Sequence, residues 1–338
     1  MPADDLRRPA VLRAGTVLTV DSGRTVLEGH DVLVVDGRIA AIGVGLVVPD
    51  GTDEIDARGG IVMPGMVDTH RHMWQTTTRG YGADWTLTQY FVWYYLNWGT
   101  KFRPEDIHAG NQLGALEALD AGVTTCVDWS HGLQTIDHAD AAVDALASVP
   151  GRFVPAYGNI QDAPANWTGT PEFRKFFDRR AGDLEGFQIA FDVTGDPGFP
   201  EQPAFEAARE LDLAVTTHAG VWGATGDDAV RLIHENGYGE ARTVYVHAST
   251  LSADSYRRIA ATCFPPCAPR WVPPAPKSTK RRTPAGKPSP TPPCTPSRSS
   301  SGPREAGHEH SGGTTRSAAW RSARRRTSCS SATTTRRR

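Results

Sequence analysis

From residue 60 onward, apolar segments alternate with amphipathic segments, and this alternation constrains the fold more than any other feature of the chain. The apolar segments predicted as strands are residues 60–69, 123–129, 153–158, 187–193, 213–217 and 243–246. The predicted helices are residues 103–120, 139–148, 171–181, 203–211, 227–236 and 252–261. Six β-then-α units at this spacing predict an α/β fold, a TIM-like (β/α)₈ barrel from which two units are missing.

Two segments near the amino terminus carry further predictions. Residues 1–60 predict a small β unit of short strands, in which Asp36-Gly37 is a strong hairpin turn. Residues 60–69 are a nearly continuous apolar run, which predicts a strand buried on both faces, as in a parallel barrel. We therefore expect a barrel domain over residues 61–263, preceded by the β unit.

Composition changes abruptly after residue 263. Residues 264–338 contain no Leu or Ile, a single Val, and 13 of the 25 prolines. They also carry 16 of the 36 Lys and Arg residues but only two of the 38 acidic residues, so their net charge is +14 and that of residues 1–263 is −16. The acidic body argues against nucleic acid as a partner of the folded part, and the tail composition predicts disorder.

Three interpretations of the tail are open. It could be a basic disordered segment that binds nucleic acid, a Pro-rich linker, or the product of a shifted reading frame near Thr262-Cys263. We favour the frameshift, because the composition changes within a predicted helix and where strands seven and eight should begin. On that hypothesis the barrel lacks two strands, and we expect poor solubility and little activity.

Histidines follow four of the six predicted strands. His70 and His72 follow strand one, His131 strand two, His218 strand five and His247 strand six. Catalytic side chains in a (β/α)₈ barrel lie at the carboxyl ends of the strands. Because side chains two apart on a strand lie on one face, His70 and His72 can share one metal ion. A His-x-His pair alone is weak evidence, but the later strand-end histidines favour a metal site over a pair of surface residues.

The segments around this pair also match a family pattern. The matching residues are Val62-Met63-Pro64-Gly65-Met66-Val67-Asp68-Thr69-His70-Arg71-His72, Arg103-Pro104-Glu105-Asp106 and Ala118-Leu119-Asp120-Ala121-Gly122-Val123-Thr124-Thr125. Over about residues 10–262 the chain resembles the amidohydrolase superfamily, in its cytosine-deaminase-like and triazine-hydrolase-like (chlorohydrolase) branch. The resemblance implies that residues 1–60 are half of an N-terminal β-sandwich.

The resemblance also implies a metal site. It assigns one divalent metal to His70, His72 and His218, and it places His247 in a catalytic role, orienting substrate or hydroxide. Three imidazoles leave coordination open on zinc, which we expect here, with iron as the alternative. A water bound to such a metal has its pKa lowered toward about 7 and can attack a carbon that bears nitrogen or halide.

Two departures from the family pattern stand out. Many relatives carry Glu three residues after the strand-five histidine, where this chain has Val221. The family also takes a metal-binding Asp from the end of strand eight, and this chain has no Asp after Asp254. The general acid or base is therefore unassigned.

The aromatic run after strand one has two interpretations. Its members are Trp85, Tyr90, Phe91, Trp93, Tyr94, Tyr95 and Trp98. The run could cover the pocket of an apolar or aromatic substrate, with Trp85 and Trp93 as substrate-binding residues, or it could pack an inserted helix against the barrel or a subunit partner. His131 is a further candidate for substrate binding.

The function predicted first is a metal-dependent hydrolase that cleaves a non-peptide C–N bond of a small cyclic or heterocyclic substrate, as a deaminase does. The alternatives are a dechlorinating hydrolase on the same scaffold, an inactive remnant, and a nucleic-acid-binding protein that acts through its tail. Five cysteines without regular spacing predict no disulfide framework, and the acidic amino terminus resembles no secretory signal. We expect a cytoplasmic protein without membrane contact, and a homo-oligomer stays open.

Overall fold

The computed structural model describes residues 8–221, 225–239 and 242–263 of the 338-residue chain. The predictions for residues 264–338 lie outside the described residues. The domain boundaries proposed at residues 60 and 263 stay predictions.

The amino-terminal β unit is a five-stranded sheet. Its strands are β1 (Ala10–Leu18), β2 (Val26–Val35), β3 (Arg38–Gly43), β4 (Asp53–Asp56) and β5 (Ile61–Val62). The order is β3-β2-β1-β4, and β5 also pairs with β1. The turn between β2 and β3 is the predicted hairpin, because Asp36 and Gly37 both have positive φ, of 51° and 70°, as a type I′ turn requires.

The barrel sheet has six parallel strands among the described residues. They are β6 (Met66–Arg71), β7 (Val123–Ser130), β8 (Arg152–Tyr157), β9 (Gln188–Ala190), β10 (Ala214–Ala219) and β11 (Thr243–His247). Each strand pairs with the strand before it in sequence, in the order β11-β10-β9-β8-β7-β6. This arrangement confirms the predicted fold, an incomplete (β/α)₈ barrel with a small β unit before it.

Helices connect the barrel strands. They are α1 (Leu87–Tyr90), α2 (Pro104–Asp120), α3 (Ile136–Ala147), α4 (Pro164–Thr168), α5 (Pro171–Arg180), α6 (Gln202–Glu210), α7 (Asp227–Glu235) and α8 (Ala253–Cys263). Pro104 begins α2 because its missing N–H would have no helical partner there, and Asp106 accepts the backbone N–H of Arg103 at 2.9 Å. Gly122 follows α2 with φ of 83°, the left-handed conformation that ends many helices. No helix in the described ranges is long and apolar enough to cross a membrane.

The prediction for residues 60–69 was wrong in two respects. The run divides at Pro64-Gly65 into β5, which pairs with β1 of the first sheet, and β6, which pairs with β7 of the barrel. A Cβ at Gly65 would lie 2.1 Å from Thr124 Oγ1, so the chain passes too close for another residue. The strand β6 is also not buried on both faces, since it is the last strand of the described sheet and Val67 is 64% exposed.

The main core lies between the barrel strands and their helices and is rich in aromatic side chains. Its buried members include Trp74, Tyr157, Phe173, Phe176 and Phe205. Close packing of such large rings holds the strand ends in fixed positions. The packed core therefore holds the residues that follow the strands in place.

Candidate metal centre

Three strand-end histidines converge at one edge of the barrel sheet. Among the described residues, His70, His72 and His218 are the group whose ligand nitrogens all lie within 4.8 Å of one another. The Nε2 atoms of His70 and His72 are 3.1 Å apart, and the ring centroids of His70 and His218 are 5.0 Å apart. Strands β6 and β10 thus bring together side chains that are almost 150 residues apart in the sequence.

Hydrogen bonds orient two of these rings. His72 Nδ1 donates to the carbonyl oxygen of Trp129 at 2.8 Å, and His218 Nδ1 donates to Asp192 Oδ1 at 2.8 Å. In each ring the proton on Nδ1 leaves Nε2 with its lone pair free for a ligand. An imidazole held in this way by a carbonyl or a carboxylate is typical of metal-ligating histidines.

The donor set fits a divalent metal. His70 Nδ1 is buried and has no hydrogen-bond partner among the described residues, so the described protein contacts leave one nitrogen of this ring unsatisfied. Burial, followed by the neighbouring imidazoles, lowers the pKa of His70 to about 4 and that of His72 well below its usual value. Both rings are therefore neutral at pH 7, which is the form that binds a metal. Three imidazoles suit zinc or iron and leave coordination open.

Asp192 is a site residue that the sequence reasoning missed. It lies two residues after the end of β9 and accepts both the Nδ1–H and the backbone N–H of His218, the latter at 3.0 Å. The search of strand ends considered histidines only. A search that included carboxylates would have found Asp192 at the end of the fourth strand.

His247 lies beside the three converging histidines. Its ring is stacked on that of His218 at a centroid distance of 5.5 Å and lies 5.1 Å from that of His70. Its backbone is left-handed, with φ of 65°, which is uncommon for a residue other than Gly and is found preferentially at functional sites. Burial and the nearby His218 lower the pKa of His247, so this ring is also neutral near pH 7.

A pocket open to solvent lies beside this cluster of rings. Its lining residues are His72, Leu87, Tyr90, Phe91, Tyr95, Ile160, Asp192, His218, Val221 and His247. The lining combines three imidazoles and Asp192 with aromatic and aliphatic side chains. Val221 occupies the position at which the family pattern places Glu. The described lining therefore offers Asp192 as its only carboxylate.

The aromatic run contributes to both the pocket and the core. Residues Phe91–Trp98 form a π-helix, a rare conformation that occurs mostly at functional sites. Phe91 and Tyr95 line the pocket, whereas Tyr94 is buried in the core. The segment therefore has members in the pocket lining and members in the core, and its role in substrate binding stays a prediction.

The three predicted substrate-binding residues lie outside the described pocket lining. Among the described residues the pocket lining includes none of His131, Trp85 and Trp93. His131 is buried behind His72, Trp85 packs on Tyr81, and Trp93 is 51% exposed. Their role in substrate binding stays a prediction.

Asp128 fixes the segment that follows the His-x-His pair. Its buried carboxylate accepts the backbone N–H of Met73 at 2.9 Å, the amide of Asn111 at 2.9 Å and the hydroxyl of Ser130 at 2.8 Å. Burial raises the pKa of this carboxyl to about 6. Asp128 thereby ties the residue after His72 to the end of β7.

Comparison with known sequences finds deaminases. The chain is 34% identical over 215 residues to a 5-methylthioadenosine/S-adenosylhomocysteine deaminase of Symbiobacterium thermophilum, over 62% of this chain and 48% of that protein. It is 33% identical over 119 residues to a 5'-deoxyadenosine deaminase of Methanosarcina mazei, over 35% and 27% of the two chains. The chain thus spans about half the length of the first of these relatives.

Comparison with solved structures finds the same fold. Atrazine chlorohydrolase TrzN from Arthrobacter aurescens complexed with zinc superposes with a TM-score of 0.61 at 20% identity, over 75% of this chain and 64% of that one. Guanine deaminase from C. acetobutylicum with bound guanine gives a TM-score of 0.61 at 16% identity, over 75% and 65% of the two chains. At this level of identity the likeness concerns the fold alone.

The family follows from the sequence match together with the fold. Residues 61–275 match the model of the amidohydrolase family, which is more than half of the chain. The matched region contains the barrel strands and all the histidines of the candidate site. This protein belongs to the amidohydrolase family.

Proposed function

We propose that this chain is a metal-dependent hydrolase that removes an amino group from a small, neutral heterocycle. The observation that carries the proposal is the convergence of His70, His72 and His218 within 4.8 Å, of which His72 and His218 line a pocket. Water adds to the ring carbon that bears the amino group, the C–N bond breaks, and ammonia and a ring carbonyl are the products.

The metal in this proposal is zinc, held by His70, His72 and His218. A divalent metal there supplies a Lewis acid that makes water nucleophilic near neutral pH. The chain's own residues orient the reactants. The Trp129 carbonyl and Asp192 hold two imidazoles in the ligating tautomer, and His247, on the pocket side of the cluster, holds or polarises the substrate.

The pocket favours a flat, uncharged substrate. Tyr90, Phe91 and Tyr95 are the aromatic members of the described lining, which contains no Lys or Arg. A phosphorylated substrate would therefore bring an unpaired charge into a largely apolar space. The relatives' names support the amino-substituted ring, since each is a deaminase of an adenosine-type compound. We therefore propose amino-substituted purines or their neutral nucleosides as the substrate class.

Product analysis tests the proposed reaction. The purified full chain, loaded with zinc, is incubated with 5'-deoxyadenosine, guanine and a chlorinated triazine, and released ammonia and chloride are measured. We expect a small release of ammonia from an amino-substituted ring, because the described barrel sheet has six of the eight strands of a complete barrel. This activity should be lost with a chelator and return with zinc. Chloride release without ammonia would assign dechlorination instead. A zinc-loaded chain that releases neither from these substrates would contradict the proposal.

A further inference from the structure

His131 lies behind the metal centre and in contact with one of its ligands. The residue directly follows β7, is 2% exposed, and stacks its ring on that of His72 with centroids 4.2 Å apart and planes at 17°. Tyr95 meets the same ring edge-on at 4.2 Å. His131 is thus enclosed between a metal-ligating ring and an aromatic wall of the pocket, although it does not belong to the described pocket lining.

A buried tryptophan anchors this histidine. Trp74 Nε1 donates to His131 Nδ1 at 2.7 Å, and Trp74 itself is 1% exposed in the core. Because the indole N–H can only donate, His131 Nδ1 is the acceptor. The neutral His131 ring then carries its proton on Nε2, which has no hydrogen-bond partner among the described residues.

These contacts connect His72, Trp74 and His131 in a closed loop of interactions. The chain runs from His72 to Trp74 within two residues, the indole holds His131, and the His131 ring lies flat on the His72 ring. The Trp129 carbonyl fixes the His72 ring through Nδ1, roughly within the plane of the ring. His131 supports the face of the ring, so rotation of the His72 side chain would have to displace a ring that is anchored in the core.

We propose that His131 is a positioning residue for His72, which fixes the direction of its metal-binding Nε2, and that it does not contact the substrate. This inference rests on the proposed metal centre. The two roles for His131 predict different effects. Loss of a positioning residue lowers metal affinity, whereas loss of a substrate-binding residue raises KM and leaves metal affinity unchanged. A buried partner of a metal ligand typically contributes about 10–100-fold to metal affinity.

Metal affinity of full-length variants tests the inference. Zinc is titrated against a chromophoric chelator for wild type, His131→Ala, His131→Phe and His138→Ala. His138 is a matched control, since it is buried and hydrogen-bonded to Thr135 and Phe102 but makes no ring contact with the site. We expect His131→Ala to lower zinc affinity by about 10–100-fold, and His138→Ala to leave it unchanged. His131→Phe keeps an aromatic face against His72 and is expected to restore most of the affinity.

A spectroscopic readout separates positioning from general destabilisation. With Co²⁺ as probe, the visible absorption of the His131→Ala protein should differ from that of wild type, while the His138→Ala spectrum should not. An affinity loss no larger in His131→Ala than in His138→Ala would overturn the inference, as would a raised KM with unchanged zinc affinity. Absence of zinc binding by wild type would overturn the metal centre itself, and the inference with it.

Discussion

Replacing His218 with Ala is expected to abolish zinc binding and hydrolysis together. His218 supplies one of three imidazoles, and its Nδ1 is held by Asp192, so its Nε2 has the fixed direction that a ligand needs. The two remaining imidazoles are fewer than the three protein ligands that a catalytic zinc site uses. The loss in affinity should exceed the roughly 100-fold that removal of an outer partner of a ligand causes. The rate should fall about 10³-fold or more, because Lewis-acid stabilisation contributes several kcal/mol.

The matched control for this variant is His30→Ala. His30 belongs to β2 of the amino-terminal sheet, and its ring contacts only a backbone carbonyl, that of Glu28, among the hydrogen bonds of the described residues. Metal content by mass spectrometry and ammonia release are measured on both variants. A His218→Ala protein that retains one equivalent of zinc with wild-type affinity would show that the metal is held elsewhere.

Replacing Asp128 with Ala is expected to destabilise the barrel by about 3 kcal/mol or more, because three donors lose their acceptor in the interior. The orphaned groups are the N–H of Met73, the amide of Asn111 and the hydroxyl of Ser130, which come from three separate segments. Urea unfolding followed by tryptophan fluorescence measures the effect. The exposed Asp120 is the control, and its change to Ala should alter the free energy of unfolding by less than about 0.5 kcal/mol.

The pH dependence of stability gives a second readout for Asp128. Burial raises the folded-state pKa of this carboxyl from 3.8 to about 6, so the folded chain binds the proton more tightly than the unfolded chain. Its contribution to the free energy of unfolding is therefore greatest below pH 4 and declines as the pH rises through 6. In Asp128→Asn this decline should be smaller than in wild type. An equal decline in both proteins would show that Asp128 does not cause it.

The fold was predictable because the hydrophobic pattern is local. Each barrel strand except β6 matches its predicted apolar segment to within three residues at either end, and each predicted helix is present within a few residues. The division of residues 60–69 was harder to predict, because it depends on the close approach of Gly65 to Thr124, which is distant in sequence. A continuous apolar run does not reveal which sheet each half joins.

The sequence could predict those site residues whose positions depend on the ends of the barrel strands. The carboxyl ends of parallel strands meet at one edge, so His70, His72, His218 and His247 could be expected to lie together. The pocket-facing aromatic residues could not be predicted, because a π-helix advances by more residues per turn than an α-helix. Trp93, which the sequence analysis named as a substrate-binding candidate, is 51% exposed, whereas Tyr95 lines the pocket.

The partners of the histidines were also beyond sequence reasoning. Asp192 and Trp129 are separated from the rings they hold by 26 and 57 residues. The strand-end position of Asp192 marks it as a candidate site residue, but the local pattern does not show that it meets His218. Only the assembled sheet shows which carboxylate meets which imidazole.

X-ray absorption at the zinc edge of the zinc-loaded full chain tests the three-histidine centre most directly. We expect one zinc per chain with three imidazole nitrogens at about 2.0–2.1 Å and no sulfur in the first shell. The same measurement on His218→Ala should lose this spectrum. A sulfur shell at about 2.3 Å, or a shell of oxygens without imidazole scattering, would contradict the assignment of His70, His72 and His218 as the metal ligands.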